Sequence, residues 1–183
     1  MPTILKTEAT TEVVTLEEAK VQLRLGTEPH EEDDLIKGFI KTAQERVQEN
    51  TNRSLAPATF VKVMASFEQQ EIELSYPPAI SVVSITYKDE EGQEKILDPE
   101  EYELNELYSP AILTPVEDWP VTNNSPQAVK IEYEAGYKEE KCPQPLKDAM
   151  LLIISHLYEK RDEAGYFPRA AEILMNLYDL RGI

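Results

Sequence analysis

The residues best suited to chemistry stand together in one run, Glu28-Pro-His-Glu-Glu-Asp-Asp34. Clustered carboxylates beside an imidazole are what a divalent ion needs when it activates water for hydrolysis. The spacing does not fit such a site. An EF-hand requires a central Gly and a terminal Glu, both missing, and His30 has no second ligand at zinc spacing. The run sits directly before a helical pattern, where acidic side chains complement the helix dipole by about 0.3–1 kcal/mol each. A solvated helix start is therefore the main reading, with a metal-dependent hydrolase as the alternative, and no cofactor or bound metal is expected.

Other reactive groups offer less. His156 lies inside an apolar helix, where a bond to a neighbour explains it better than general-base chemistry. There is no Gly-x-Ser-x-Gly elbow, no Cys with a matching His and Asn set, and no phosphate-cradling loop among only six glycines. Cys142, the only cysteine, reads as a half-buried spacer; it excludes an intrachain disulfide and suits a reducing compartment. Aromatic and charged groups mix instead at places that suit a protein interface: Tyr158 and Arg161 at one helix end, Tyr166 and Phe167 in the loop that follows, and Tyr178 and Arg181 on the final helix. Trp119 joins them as a candidate anchor, with packing of its own loop as the competing role.

Those groups need a frame. With 183 residues the chain can bury one good core, or one core plus an inserted module. It carries 18 Lys and Arg against 35 Asp and Glu, a net charge of −17, and no basic run, which excludes tight binding to a phosphate backbone. The longest aliphatic run, residues 149–154, is far short of the roughly 20 residues that span a bilayer. The N-terminus lacks the basic patch and apolar core of an export signal, so synthesis and folding in cytoplasm, away from membranes, are expected.

The central element is a helix over residues 145–161. Leu146, Ala149, Met150, Ile153 and Leu157 follow i, i+3, i+4, i+7 spacing, and Leu151, Leu152 and Ile154 make its middle apolar nearly all round. Thr15-Leu-Glu-Glu18 is a capping box that starts a short helix to about Leu25; a longer one follows the acidic run and closes at Asn50-Thr-Asn52. After Pro57 the period changes from about 3.6 to 2, and strands are expected up to residue 137, the clearest alternating Val129, Ile131, Tyr133 and Ala135 with Lys130, Glu132 and Glu134. A last helix carries the stripe Ala170, Ile173, Leu174, Leu177 and Leu180, expected to face the core. The fold class is α+β, a small bundle of four main helices with an antiparallel β module inserted between helices 2 and 3. Residues 1–55 and 142–183 form the helical domain and residues 56–141 the module.

Several stretches align as a set: Val14-Thr-Leu-Glu-Glu-Ala-Lys20 with Leu23-Arg-Leu25, Glu32-Asp-Asp-Leu-Ile36, Thr51-Asn-Arg-Ser-Leu55, Pro77-Pro78, Asp118-Trp-Pro120, residues 129–136 and the 145–161 helix. In this order and spacing the chain resembles the head-tail connector proteins of tailed bacteriophages, and is similar to the prophage subgroup carrying a β insertion. The resemblance implies a structural, non-enzymatic adaptor. Such a protein forms a ring of about a dozen subunits beneath the portal protein and accepts the tail or its completion proteins, with DNA passing through without specific binding. It also implies assembly in the host bacterial cytoplasm and residence at the virion head-tail junction. A cytoplasmic interaction module unrelated to virions is the alternative.

Overall fold

In a computed structural model, the structure describes residues 2–9, 11–26, 28–67, 69–138, 141–160 and 168–180. The fold is α+β, with antiparallel sheets and, among the described residues, four α-helices. The elements run β1 (Thr3–Thr7), α1 (Leu16–Gln22), α2 (Asp33–Thr51), β2 (Ala58–Met64), β3 (Ile72–Leu74), β4 (Ala79–Lys88), β5 (Glu94–Ile96), β6 (Tyr102–Asn105), β7 (Ala111–Pro115), β8 (Val129–Ala135), α3 (Gln144–Glu159) and α4 (Arg169–Asn176). The chain divides into two compact units, Met1–Thr10 with Ala56–Tyr137, and Thr11–Leu55 with Lys138–Ile183. The first ten residues thus group with the strands, whereas the sequence pattern had placed them with the helices. The cause is β1, which pairs antiparallel with β2, Thr3 opposite Lys62 and Leu5 opposite Phe60.

The β unit holds a five-stranded sheet, β1-β2-β8-β4-β5, and a three-stranded sheet, β3-β7-β6. β8 lies between β2 and β4, and its Val129, Ile131, Tyr133 and Ala135 are fully buried, as the alternation of the strand requires. Phe60 and Val82 stand opposite Tyr133 on the two neighbouring strands. Ile72, Leu74, Ala111 and Leu113 of the smaller sheet join the same buried cluster. The Tyr133 hydroxyl donates to the Ser75 carbonyl at 2.9 Å, so its polar tip is satisfied, and burial pushes its phenol well above the ordinary range. The β4–β5 turn is tied by Asp89: one carboxylate oxygen accepts from the Gln93 amide at 2.8 Å and the other pairs with Lys95 at 2.7 Å.

Gly136 ends β8 with φ +130°, a region that side-chain-bearing residues avoid. A Cβ there would stand 2.1 Å from the Ala56 carbonyl oxygen. The two ends of the stretch Ala56–Tyr137 therefore meet backbone to backbone.

In the helical unit α3 packs against α1, α2 and α4. Leu146, Ala149, Met150, Ile153, Ile154 and Leu157 are buried, while Leu151 and Leu152 are only half-buried. The capping box forms as expected, the Thr15 hydroxyl accepting from the Glu18 amide at 3.2 Å and Glu18 accepting from the Thr15 amide at 2.8 Å. α4 departs from expectation: Ala171 and Met175 are its buried residues, so the helix is turned away from the stripe read in the sequence. α4 packs against α3 and α2, and Ile173 and Leu177 are left outward.

Two substitutions test this packing by urea unfolding. Ile153→Ala is expected to cost about 2–5 kcal/mol, since the site is sealed on every side. Gly136→Ala is expected to cost about 3 kcal/mol or more, because the strained φ and the clash with rigid backbone add.

Candidate functional site

The acidic run leads into α2, and three of its carboxylates, Glu32, Asp33 and Asp34, are engaged in internal contacts. Lys20, on α1, is only 2% exposed, which is rare for a lysine. Its ammonium donates to the Glu28 carbonyl and pairs with Asp33 Oδ1 at 2.9 Å. Asp33 Oδ2 accepts from the His30 amide at 3.1 Å, and His30 Nδ1 accepts from the Glu32 amide at 3.2 Å. Glu32 Oε2 accepts from the Tyr158 hydroxyl of α3 at 2.6 Å, and Asp34 pairs with Lys37 at 2.9 Å. The run thus clamps the α1–α2 connection to two helices. Among the described residues, no group of three or more His, Cys, Asp and Glu is placed to hold a metal ion.

Sequence reasoning missed Lys20 because lysines are usually solvated. The signal was its position, one residue after Ala19 and midway between Leu16 and Leu23, on the inward face of a short helix.

The other candidate residues are not brought together at one point. Tyr158 is half-buried and its hydroxyl is spent on Glu32. Tyr178 is half-buried; its carbonyl accepts from Arg53 Nε at 2.9 Å, and the Arg53 guanidinium carbon stands 6.0 Å from its ring centroid. Trp119, in the β unit, stacks on Phe67 with centroids 4.7 Å apart and donates from Nε1 to the Gln70 carbonyl at 3.2 Å, so packing of its own loop accounts for it. Arg161, Tyr166, Phe167 and Arg181 lie outside the described residues. Cys142 is buried rather than half-buried, and burial pushes its thiol up to about 11, which leaves it inert at neutral pH.

What the helical unit does offer is bare apolar surface. Ile173 on α4 is 57% exposed and Leu177 at its C-cap 69%. Val21 of α1 and Leu35 of α2 are also exposed. No helix among the described residues is long and apolar enough to cross a membrane.

A family profile described as "Phage gp6-like head-tail connector protein" matches residues 13–108, more than half of the chain. The chain belongs to the phage gp6-like head-tail connector family. No curated protein sequence matches it. Among solved structures, this connector is similar to a chain of "Neck of empty GTA particle computed with C6 symmetry" at TM-score 0.78 and 19% identity, covering 98% of this chain and 95% of that one. It is similar to a chain of "Virion of native gene transfer agent (GTA) particle" at TM-score 0.77 and 19% identity, with the same coverage. A chain of "Neck of native GTA particle computed with C12 symmetry" gives TM-score 0.67 and 18% identity over 96% and 95% of the two chains. At these identities the likeness concerns the fold, and it includes the β unit as well as the helices.

The clamp predicts an acid-side dependence of stability. The hydrogen bond and charge of Lys20, aided by the His30 amide, hold the Asp33 carboxyl below the usual carboxylate range. A folded-state pKa depressed in this way contributes stability that is present above the unfolded value of about 4 and is lost as pH falls through the folded value. Asp33→Asn is expected to flatten the fall in stability below about pH 4, measured by urea unfolding across pH, while wild-type chain shows the steeper loss.

Proposed function

We propose that this connector is a structural, non-catalytic adaptor at the head-tail junction of a phage-like particle, where copies close into a ring between the portal and the tail. The observation that carries the proposal is the outward apolar pair of α4 and its C-cap, Ile173 and Leu177, in a chain that belongs to a connector family. A protein that stays monomeric gains nothing from leaving such a stripe in water, whereas heterologous contacts that close by rotation bury the same two surfaces in every copy. The solved structures of similar fold, described as necks computed with C6 and C12 symmetry, support the same arrangement here.

The contact surface is proposed to include Tyr158 and Tyr178, together with Arg161, Tyr166, Phe167 and Arg181. Portal and tail-completion proteins are the proposed partners, met through the terminal segments. About a dozen copies at −17 each would place roughly 200 negative charges around a channel, a wall along which DNA slides instead of binding. Assembly would take place in the host cytoplasm.

Light scattering of the concentrated chain, and electron microscopy after addition of portal particles, test the proposal. A closed ring is expected, alone or on the portal; a chain that stays monomeric and never joins portal particles would overturn it. Ile173→Asp with Leu177→Asp is expected to abolish ring formation while changing the unfolding free energy by no more than about 0.5 kcal/mol per site, because both positions are exposed.

A further inference from the structure

The β unit ends one of its hairpins in water. Leu107, at the β6–β7 turn, is 96% exposed and Tyr108 beside it is 57% exposed. The turn is held: the Leu107 amide donates to Asn105 Oδ1 at 3.2 Å, and β6 and β7 stay paired up to Asn105 opposite Ile112. Tyr102 and Leu104 root the hairpin against the buried cluster. Leu107 and Tyr108 are therefore presented on a fixed support, and an aliphatic and an aromatic side chain so presented lose little freedom when a partner covers them.

Charge selects the partner. Between Lys95 and Lys130 the chain has seven acidic residues and no basic one, with Glu103 and Glu106 closest to the tip in sequence. The β unit holds 17 of the 35 acidic residues and 5 of the 18 basic ones, −12 of the total −17. A second copy would bring this same field to the tip, and nucleic acid or an anionic membrane would be repelled by it. An apolar pocket with a basic rim is complementary on both counts.

We infer that the β6–β7 tip is a docking site for a different protein, one offering an apolar pocket rimmed by lysine or arginine. Leu107 and Tyr108 are the inserted anchors, and Glu103 and Glu106 steer and orient the encounter. This site belongs to the β unit and does not depend on the α4 stripe of the helical unit.

The test replaces Leu107 by the photoreactive amino acid p-benzoylphenylalanine in the full chain, with irradiation of intact particle-producing cells. The expected product is a cross-link to a polypeptide other than this chain, through a peptide containing Lys or Arg. Its yield should fall about tenfold when Glu103→Lys and Glu106→Lys are added, and also with Tyr108→Ala, while the thermal midpoint of each variant stays in place. A cross-link only to a second copy, to lipid or to nucleic acid, no cross-link at all, or a yield unchanged by charge reversal would each overturn the inference. Sedimentation of particles from the same cells reports separately whether the chain is incorporated, so a failure of the connector proposal is read apart from a failure of this one.

Discussion

A net charge of −17 sets the condition under which both units of this protein must hold together, because each is folded against its own repulsion. The surface ion pairs of Lys6 with Glu132, Lys37 with Asp34 and Lys41 with Glu45 give little help, since they are solvent-exposed on at least one side and screened. Cohesion comes from apolar burial around one central element in each unit. In the β unit that element is β8, flanked on both edges and covered by the smaller sheet; in the helical unit it is α3, in contact with the other three helices. The acidic residues are then free to occupy outward positions, as Glu132 and Glu134 do on the very strand whose inward side chains are sealed.

The main lines of this arrangement were legible in the residues. Strict alternation fixed which face of β8 is buried, and Thr15 with Glu18 marked the start of α1 because two amides need those two partners. What escaped was tertiary. β1 has no alternation to read, and only its pairing with β2 draws it into the sheet. α4 carries apolar residues on two overlapping faces, and packing buries the face of Ala171 and Met175, a choice that periodicity alone does not encode. The interface candidates were recognised by composition alone, which does not separate Trp119, whose ring is committed to Phe67 and Gln70, from Tyr158 on α3. Lys20 was hidden by the general habit of lysine.

The contrast between the two polar features is instructive. The acidic run of residues 28–34 draws attention as chemistry, yet the carboxylates of Glu32, Asp33 and Asp34 and the Glu28 carbonyl are bonded to Tyr158, Lys20, the His30 amide and Lys37. Its role is to fix where α2 begins. Exposed apolar side chains, among them Ile173 and Leu177 on one unit and Leu107 and Tyr108 on the other, carry the functional proposals instead. For an adaptor, whose work is contact, that distribution is the expected one.

The meeting of Gly136 with Ala56 has a topological meaning. For the helical unit, everything from Ala56 to Tyr137 is an interruption between α2 and α3, and its two ends touch. A chain that must close a long loop loses configurational entropy only logarithmically with its length, and here the folded strands hold the loop's ends together themselves. The helices therefore see a short hinge in place of a long detour. Lengthening, trimming or decorating the hairpins beyond that junction would leave the helical scaffold's connectivity as it is, which makes the β unit a place where such a fold can acquire new contacts without relearning how to fold.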